Sequence, residues 1–469
     1  MSEGLQRKLG LWSAISIVVG SVIGSSIFMK PALMASQVHS PILLILVWLI
    51  AGCISLIGAS INAEIGTLMP VTGGQYVYFD KMYGNRFAFL YGWACLTVIN
   101  TASIAAIAYV FATYLTYFID LPRFSVGVEK SVYLKLPFIG TFYILENIGV
   151  KCVSVVSIIG LTLANQVSVI MGGLVQRIFA FAKIGSLVLL IAIVFGFGHG
   201  DVHNLVHHDA TFEMSNWQVL MGVIAALSGA FAAFDGWNNL GFVAGEIEEP
   251  TKNIPRALIF GLLICLALYL LTNLAYFYMM PIEVVAKSSL LATDAVQPIL
   301  GAMGAGFIAF LVMTSTFGAT NGNILACARV TFTMGTDHKL FAWAGKVDAR
   351  HATPTNALWL QCIICCVYVF TGTFDMLTDL FVFVTWLFYG FAAFGIFILR
   401  KKMKDDPRPF KAWAYPYLPA LFVCFAFFYC VLTVVNDITN FVEGKSEVVN
   451  AGLGLVIVFS GLLVYRWKK

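Results

Sequence analysis

Charged residues are scarce in this chain of 469 residues, at 11% of the sequence, whereas hydrophobic residues make up 60%. The mean hydropathy of +0.87 is far above that of a soluble globular protein of ordinary composition. No long polar stretch separates the apolar runs, which leaves no room for a sizeable soluble domain. We therefore predict that residues 1–469 form a single membrane-embedded domain.

Apolar runs long enough to cross a bilayer, about 20 residues each, recur along the whole chain. We predict an all-α polytopic membrane protein with twelve transmembrane helices at 11–36, 41–69, 86–119, 148–170, 173–196, 216–245, 255–281, 296–330, 355–372, 376–400, 413–436 and 447–465. An even number of spans places both termini on one side. The first run does not end in a small-residue cleavage site, so we expect it to be retained as a span.

The distribution of basic residues predicts the orientation. With a cytoplasmic N-terminus, 20 of the 28 Lys and Arg fall on the cytoplasmic side and 7 fall outside, Lys30 among them, while Lys183 lies within a span. We therefore expect both termini to be cytoplasmic, and the absence of eukaryotic targeting signals favours a bacterial inner membrane. The net charge of +4 reflects this orientation and not nucleic-acid binding, for which the sequence has neither a basic domain nor a motif.

None of the ten cysteines lies well out in a predicted outer loop, where an oxidising compartment would allow a disulfide. The stretch "CIICC" at 362–366 has the spacing of a redox or metal motif, but thiols inside an apolar span usually serve as packing residues. We assign no metal and no cofactor to this chain.

The first span is interrupted by "GSVIGSSIF" at 20–28, which places glycine and serine where a membrane helix favours larger apolar residues. Unwound backbone at that depth is tolerated only where protein buries it or a water-filled cavity adjoins it. Close packing of helices through small residues is the alternative explanation. The sixth span carries a second interruption, "GAFAAFDGWNNLGF" at 229–242, with Asp, Gly and Asn at its centre.

Interruptions in spans one and six fall at corresponding positions if the first ten spans form two halves of five. This pattern indicates an inverted-repeat transporter with a substrate site at the midplane. We therefore predict a 5+5 inverted-repeat fold with broken helices 1 and 6, a first repeat at 11–196, a second at 216–400 and two peripheral helices at 413–465.

Four motifs in order carry a resemblance to a known family. The stretch "VIGSSIF" resembles the "GSGIF" signature of the amino acid, polyamine and organocation superfamily, and "AEIGTLMPVTGGQYVYF" resembles that family's first cytoplasmic loop. The stretch "AFDGWNNLGFVAGEIEEPTKNIPRA" resembles the L-type amino acid transporter branch, and "STFGATNGNILACARVTF", followed by Thr353 and Pro354, completes the pattern. The resemblance implies the five-plus-five fold and amino acid transport by alternating access.

The chemistry of an amino acid agrees with the two breaks. The substrate carboxylate needs donors, which the unwound backbone of span one offers at the start of a half-helix. The substrate ammonium needs acceptors, which carbonyls freed in span six supply, and Phe234 or Trp237 is expected to cover the bound molecule. The predicted substrate-binding residues are Val22, Gly24, Ser25, Ser26, Ile27, Ser103, Phe231, Ala232, Phe234, Asp235 and Trp237.

Two positions depart from the family pattern. Ser26 replaces the third residue of "GSGIF", which narrows the carboxylate site and predicts smaller substrates or a shifted pose. Ala232 occupies a position where relatives often carry a gating aromatic, so a neighbour such as Phe231 or Phe234 must form the inner gate. Asp235 has two interpretations: it faces the cavity, where it accepts a cationic side chain or carries a proton, or it caps the second half-helix.

Lys183 is the only basic residue assigned to the interior of a span, and a buried ammonium must pair or deprotonate. Carbonyls of span one and the hydroxyl of Ser315 are its predicted partners. By resemblance, its ammonium stands where sodium binds in related transporters, which argues against sodium coupling. Sodium-independent exchange of L-amino acids, neutral and in some cases cationic, is the predicted function, and proton-coupled symport is the alternative.

A membrane-embedded enzyme is the competing class, but the spans show no clustered histidines and carboxylates and no nucleophile beside a base. An amino acid sensor would call for an appended signalling domain, which the sequence does not show. Mammalian relatives of this branch pair with a single-span subunit through a cysteine in the loop after span three. Residues 120–147 contain no cysteine, so we expect no disulfide-linked accessory subunit.

Overall fold

The computed structural model describes residues 7–71, 73–167, 169–206, 215–337, 342–348 and 353–466. Four of the basic residues used to predict the orientation, Lys339, Arg350, Lys468 and Lys469, lie outside these ranges. The described residues are mostly helical. The sheet that they contain is a single two-stranded hairpin, in the loop after the third predicted span.

Broken helices occur in two parts of the chain, near its N-terminus and after residue 216. The first half contains α1 (Leu11–Val22), α2 (Ser26–Val38), α3 (Pro41–Leu68), α4 (Gly74–Tyr83), α5 (Asn85–Ala94), a π-helical turn (Cys95–Ile99), α6 (Asn100–Leu115), α7 (Val126–Glu129), β1 (Tyr133–Leu136), β2 (Gly140–Tyr143), α8 (Ile148–Val167) and α9 (Val169–Phe197). A short 3₁₀ turn (Val202–Leu205) follows α9.

The second half contains α10 (Asn216–Phe234), a 3₁₀ helix (Trp237–Glu246), α11 (Pro250–Met279), α12 (Ile282–Val285), α13 (Leu291–Asp337), α14 (Thr355–Thr371), α15 (Phe374–Lys402), α16 (Tyr417–Val442) and α17 (Asn450–Arg466). Helix α13 is interrupted at Gly301, whose φ of 65° is in the region that favours glycine. The two interruptions predicted in spans one and six are both present.

Eight helices within the described ranges are long and apolar enough to cross a membrane, or nine if α1 and α2 form one bent span. Three shorter apolar stretches, Ala182–Phe197 within α9, Thr355–Thr371 and Asn450–Arg466, overlap the predicted spans five, nine and twelve. The chain is an integral membrane protein.

The helices associate in two sets. Helices α1, α2, α3, α10 and α11 pack on one another, which places both broken helices in one set, whereas α6, α8, α9, α13 and α14 form the other. Helix α15 contacts α6, α10, α16 and α17 and so lies between the two sets. A site at the breaks therefore adjoins the boundary between these sets.

The hairpin defines one face of the bundle, which we call the hairpin face. Strands β1 and β2 are antiparallel, with Tyr133 opposite Tyr143, and the N–H of Thr141 donates to the carbonyl oxygen of Glu447 at 2.9 Å. The Arg123 guanidinium, hydrogen-bonded to Glu129, holds the pKa of that carboxyl below its usual value. The contact between Thr141 and Glu447 joins the loop after α6 to the loop between α16 and α17. The sequence did not predict the hairpin, because its strands are only four residues long.

Candidate substrate site

The break between α1 and α2 leaves carbonyl groups without helical partners. Helix α1 ends at Val22, Ile23 is extended, and the axes of α1 and α2 are bent by 44°. The N–H of Ile23 still donates to the carbonyl oxygen of Val19. In a continuous helix the Gly20 carbonyl would accept from the N–H four residues later, so the break frees this carbonyl and those that follow.

A second break separates α10 from the 3₁₀ helix that follows it. Asp235 is extended, with ψ of 155°, and Gly236 has a φ of 103°. A Cβ atom at Gly236 would lie 2.7 Å from the carbonyl oxygen of Ser21, so only glycine allows this approach. The two breaks therefore face each other at close range. The prediction of a second half-helix is corrected in one respect, since this segment is a 3₁₀ helix.

Tyr269 of α11 links the two breaks. Its hydroxyl lies 3.0 Å from the carbonyl oxygen of Val22 and 2.9 Å from that of Ala233, and its ring packs edge-on against Trp48 and Phe234. One hydroxyl hydrogen thus serves two carbonyls that the breaks have freed. Tyr269 was not predicted as a site residue, because a tyrosine in an apolar run does not by itself indicate a role at a binding site.

Lys183 provides a partner for a third freed group. Its ammonium donates to the carbonyl oxygen of Gly20 at 3.1 Å, and the side chain is buried. This contact agrees with the expected carbonyl of span one. The expected contact with Ser315 is not formed: among the described residues the buried Ser315 Oγ has no hydrogen-bond partner. The hydroxyl is not needed to hold Lys183 in place, because the Gly20 carbonyl already accepts from its ammonium.

A small polar cavity of about 40 Å³, which we call the central cavity, begins at the break after α10. Ser103 and Asp235, both predicted site residues, line it. Its other lining residues are Gln75, Phe79, Tyr91, Ile99, Asn100, Asn238, Asn239, Phe242, Asn323, Cys327, Thr385, Phe388 and Tyr389. Within the described ranges, Gln75 Oε1 and Thr385 Oγ1 are buried without a hydrogen-bond partner, so the cavity wall offers free polar atoms to a ligand.

Among the described residues on the wall of this cavity, Asp235 is the only ionisable acid or base apart from the weakly acidic Tyr and Cys side chains. The hydroxyl of Tyr389 donates to its Oδ1 at 2.7 Å and lies 3.1 Å from Oδ1 of Asn238. Gly236, not Asp235, immediately precedes the 3₁₀ helix, and no side chain caps that helix. Of the two interpretations of Asp235, the geometry favours the one in which the carboxylate faces the cavity.

The predicted aromatic residues of span six do not line the central cavity. The ring centroid of Phe231 lies 3.8 Å from that of Trp386, and the Phe234 ring packs against Trp48. The Trp237 ring packs against Tyr389, with centroids 5.0 Å apart. Neither Phe234 nor Trp237 lines the cavity in this structure, so their covering role stays a prediction. Among the cavity's own aromatics are Tyr91, Phe388 and Tyr389.

The remaining predicted residues lie at the break itself. Ser25, Ser26 and Ile27 are buried at the start of α2, where no side chain caps the helix. The first N–H groups of a helix have no partner within the helix, so this end of α2 can accept an anion. A Cβ atom at Gly24 would make only an ordinary van der Waals contact, at 3.8 Å from the Val22 carbonyl oxygen. Val22 and Ala232 are buried beside the break.

Lys30 requires a correction, because the charge distribution had placed it in an outside segment. It is buried inside α2, and its ammonium lies 2.8 Å from Asp375 Oδ1 and 3.4 Å from Asp379 Oδ1 of α15. The Ser228 hydroxyl of α10 donates to the same Asp379 oxygen at 2.8 Å. We call these four residues the Lys30 cluster. A lysine near the end of a span resembles a loop residue in the sequence when its acidic partners lie 345 and 349 residues away.

A second cavity, of about 420 Å³, opens beside the Lys30 cluster at the hairpin face. Leu33 and Gln37 of α2, Ser228 of α10, and Asp375 and Asp379 of α15 contribute to its wall. The loop residues around Tyr143 and Glu447 cover its sides. We call it the hairpin-side cavity.

An ion pair also joins helices at the opposite face. The buried Glu64 carboxylate of α3 accepts from Nε and Nη2 of Arg400, at 2.9 and 2.7 Å, and from the N–H of Ala412 at 2.7 Å. The Arg400 guanidinium lies 3.5 Å from the centre of the Tyr415 ring. The C-terminal end of α15 is therefore held against α3.

Two broken helices that approach each other beside a polar cavity, in a helical membrane bundle whose family is one of permeases, define a membrane transporter and not an enzyme. Residues 9–460 match the family described as amino acid permease, and the chain belongs to this family.

Individual relatives are similar along most of their length. The chain is 31% identical to the human b(0,+)-type amino acid transporter 1 over 411 residues, covering 87% of this chain and 79% of the relative. It is 28% identical to the serine/threonine exchanger SteT of Bacillus subtilis (strain 168) over 471 residues, covering 100% and 98%. It is 29% identical to the large neutral amino acids transporter small subunit 2 of Rattus norvegicus over 467 residues, covering 98% and 80%.

Proposed function

We propose that this protein exchanges L-amino acids across the membrane by alternating access, without sodium, and accepts neutral and cationic side chains. The observation that carries the proposal is the contact between Lys183 and the Gly20 carbonyl, since a buried cation of the chain already occupies a carbonyl freed by the break. Two relatives are named as an exchanger and as a b(0,+)-type amino acid transporter, which supports the same function.

The proposed architecture has twelve transmembrane helices. The three shorter apolar helices complete the nine longer candidate spans. Residues 11–196 form one repeat, residues 216–400 form the inverted second repeat, and residues 413–465 form the peripheral helices; the breaks at corresponding positions support this division. Both termini lie in the cytoplasm of a bacterial cell, as the basic residues favour, and the hairpin face is then the outer face.

The substrate backbone binds between the two breaks. Its carboxylate accepts hydrogen bonds from the N–H groups at the start of α2, where the helix dipole favours an anion. Its ammonium donates to carbonyls at the end of α10. The residues in these roles are Val22, Gly24, Ser25, Ser26 and Ile27 on one side, and Phe231, Ala232 and Phe234 on the other, with Trp237 beside them.

The substrate side chain enters the central cavity. Ser103 and Asp235 line it, and Asp235 gives it a negative charge that suits lysine or arginine. Asp235→Asn keeps the shape and removes the charge, so we expect the KM for arginine to rise by about tenfold or more, as for the loss of one charge-assisted hydrogen bond. Exchange of alanine, which does not reach the carboxylate, serves as the internal control and should be unchanged.

Lys183 sets the mode of coupling. An ammonium fixed at the Gly20 carbonyl supplies from the chain the positive charge that a bound sodium ion would supply. The protein then has no coupling ion to bind and release, and its return step requires a second amino acid. A disulfide-linked accessory subunit is not part of this proposal, since residues 120–147 contain no cysteine.

The experiment is uptake of labelled alanine, and separately arginine, into proteoliposomes with and without internal amino acid, sodium and a proton gradient. We expect uptake only with internal amino acid. Lys183→Ala should lower the exchange rate by about tenfold or more, because it leaves a buried carbonyl unpaired at the break. Lys252→Ala is the matched control, since that lysine is exposed and pairs with the equally exposed Glu249.

Proton symport is the second candidate, favoured by the presence of two ionisable side chains, Asp235 and Lys183, at or beside the breaks. Uptake into empty vesicles driven by a proton gradient would establish symport and refute exchange. Uptake driven by a sodium gradient would refute both the proposal and the role given to Lys183.

A further inference from the structure

The Lys30 cluster lies between the hairpin-side cavity and the breaks. Lys30 is five residues beyond Ser25 along the chain, which is about 7 Å at the helical rise. Ser228 precedes Asp235 by seven residues, about 10 Å. The ring pair of Phe231 and Trp386 lies between the cluster and the central cavity. A substrate moving from the hairpin-side cavity to the breaks must therefore pass the cluster first.

The exposure of the charges in the cluster is unequal. The Lys30 side chain is 1% exposed, whereas those of Asp375 and Asp379 are 48% and 33% exposed. The carboxylates thus face the hairpin-side cavity, and the ammonium lies beneath them. Gln37 Oε1 on the same wall is buried and, within the described ranges, accepts no hydrogen bond. The floor of this cavity offers acceptors at its surface and a cation directly below.

This ion pair joins α2 to α15. Separating its charges without new partners would strand a buried ammonium, which is strongly unfavourable. A ligand with one charge can satisfy only one side of the pair. A ligand with both charges on one carbon atom can satisfy both sides at once. That chemistry is the head group of an α-amino acid.

We propose that the Lys30 cluster is a second binding site, in which a zwitterionic amino acid replaces the ion pair on its way in. The substrate ammonium binds Asp375 and Asp379, and the substrate carboxylate binds Lys30 as α2 separates from α15. The hairpin-side cavity is large enough for the whole substrate, since its volume of about 420 Å³ lies within the range of about 300–1,000 Å³ that is usual for cavities that bind small molecules. This inference rests on the proposed function, because it assumes an amino acid substrate.

A site and a simple lock predict opposite effects of removing the charge. If the ion pair only holds the passage closed, Lys30→Met opens it more often and lowers the KM on the hairpin side. If the cluster binds the substrate, Lys30→Met removes the partner of the carboxylate and raises that KM. We expect a rise of about tenfold or more, as for the loss of a hydrogen bond to a charged group.

The experiment measures the KM for alanine exchange from each face, in right-side-out and inside-out membrane vesicles. Lys30→Met and Asp375→Asn should each raise the KM at the hairpin face and leave the KM at the opposite face unchanged. Lys130→Met, at an exposed lysine of the same face, is the control and should change neither KM. The unchanged KM at the opposite face also shows that the variants fold.

A lower or unchanged KM at the hairpin face would overturn the proposed site, as would an equal rise at both faces. Asp375→Asn tests the same idea at a half-exposed position, where a substitution disturbs folding less than at the buried Lys30. These outcomes are separate from failure of the proposed function, which would show as the absence of amino acid exchange in the unmodified protein.

Discussion

The hydroxyl of Tyr269 is the most direct link between the two breaks, and its removal gives a sharp test of the site. Tyr269→Phe keeps the ring against Trp48 and Phe234 and removes only the oxygen. The carbonyls of Val22 and Ala233 then lose their shared donor. A buried acceptor left without a partner costs about 1–3 kcal/mol. One hydrogen serves both carbonyls, so the loss should not exceed this range.

The expected effect follows from where this free energy is lost. If the breaks must be aligned for substrate to bind, about 1–3 kcal/mol corresponds to a rise in KM of about 5- to 150-fold. The assay is alanine exchange in proteoliposomes, with the melting temperature of the purified protein measured alongside. We expect a rise in KM at both faces, because the breaks serve substrate from either direction.

Tyr276→Phe is the matched control. Tyr276 lies on the same helix, is equally buried, and within the described ranges its hydroxyl has no hydrogen-bond partner. Its removal should leave the KM unchanged and should not lower the melting temperature. Equal KM values for Tyr269→Phe and the unmodified protein would refute the alignment role. A fall in melting temperature with an unchanged KM would show that Tyr269 is structural only.

Two further predictions concern backbone approach and the opposite face. Gly236→Ala should reduce exchange by more than about tenfold, because a positive φ and a backbone contact both exclude a Cβ atom, and the backbone strain alone costs about 1–3 kcal/mol. Gly160→Ala is the control and should leave exchange unchanged, since a Cβ atom there meets open space. Equal exchange rates for the two variants would contradict the reasoning. Glu64→Gln should destabilise the protein by about 3 kcal/mol, because Arg400 loses its buried partner. Glu249→Gln, at an exposed ion pair, is the control and should leave the melting temperature unchanged. An unaltered melting temperature for Glu64→Gln would refute the role of the Glu64–Arg400 ion pair.

The breaks were predictable from the sequence because local chemistry conflicts with its surroundings there. Gly24 with two serines, and Asp235 with Gly236, are poor helix formers inside otherwise apolar runs. The need of a buried ammonium for acceptors likewise pointed Lys183 to the freed carbonyls of the first span. In each case the residue type itself reports an unmet requirement for a partner.

The remaining features depend on contacts between distant parts of the chain. The pairing of Lys30 with α15 gives no signal at either position, because each charge taken alone resembles the polar end of a span. The directions of the Phe231 and Phe234 rings depend on which helices pack against α10, and periodicity does not determine that. Ser315 illustrates the same limit, since its hydroxyl is buried and, within the described part of the chain, unpaired.

The end of α1 divides its hydrogen-bonding capacity among three other helical segments. The Gly20 carbonyl accepts from Lys183 of α9, the Val22 carbonyl accepts from Tyr269 of α11, and the Ser21 carbonyl lies against Gly236. A tilt of α1 large enough to stretch one of these contacts stretches the others with it, and no water in the membrane replaces them gradually. The segment therefore moves between discrete arrangements and not through a continuous series. The polar groups exposed by the break therefore restrict α1 to a few stable positions, with no stable positions between them.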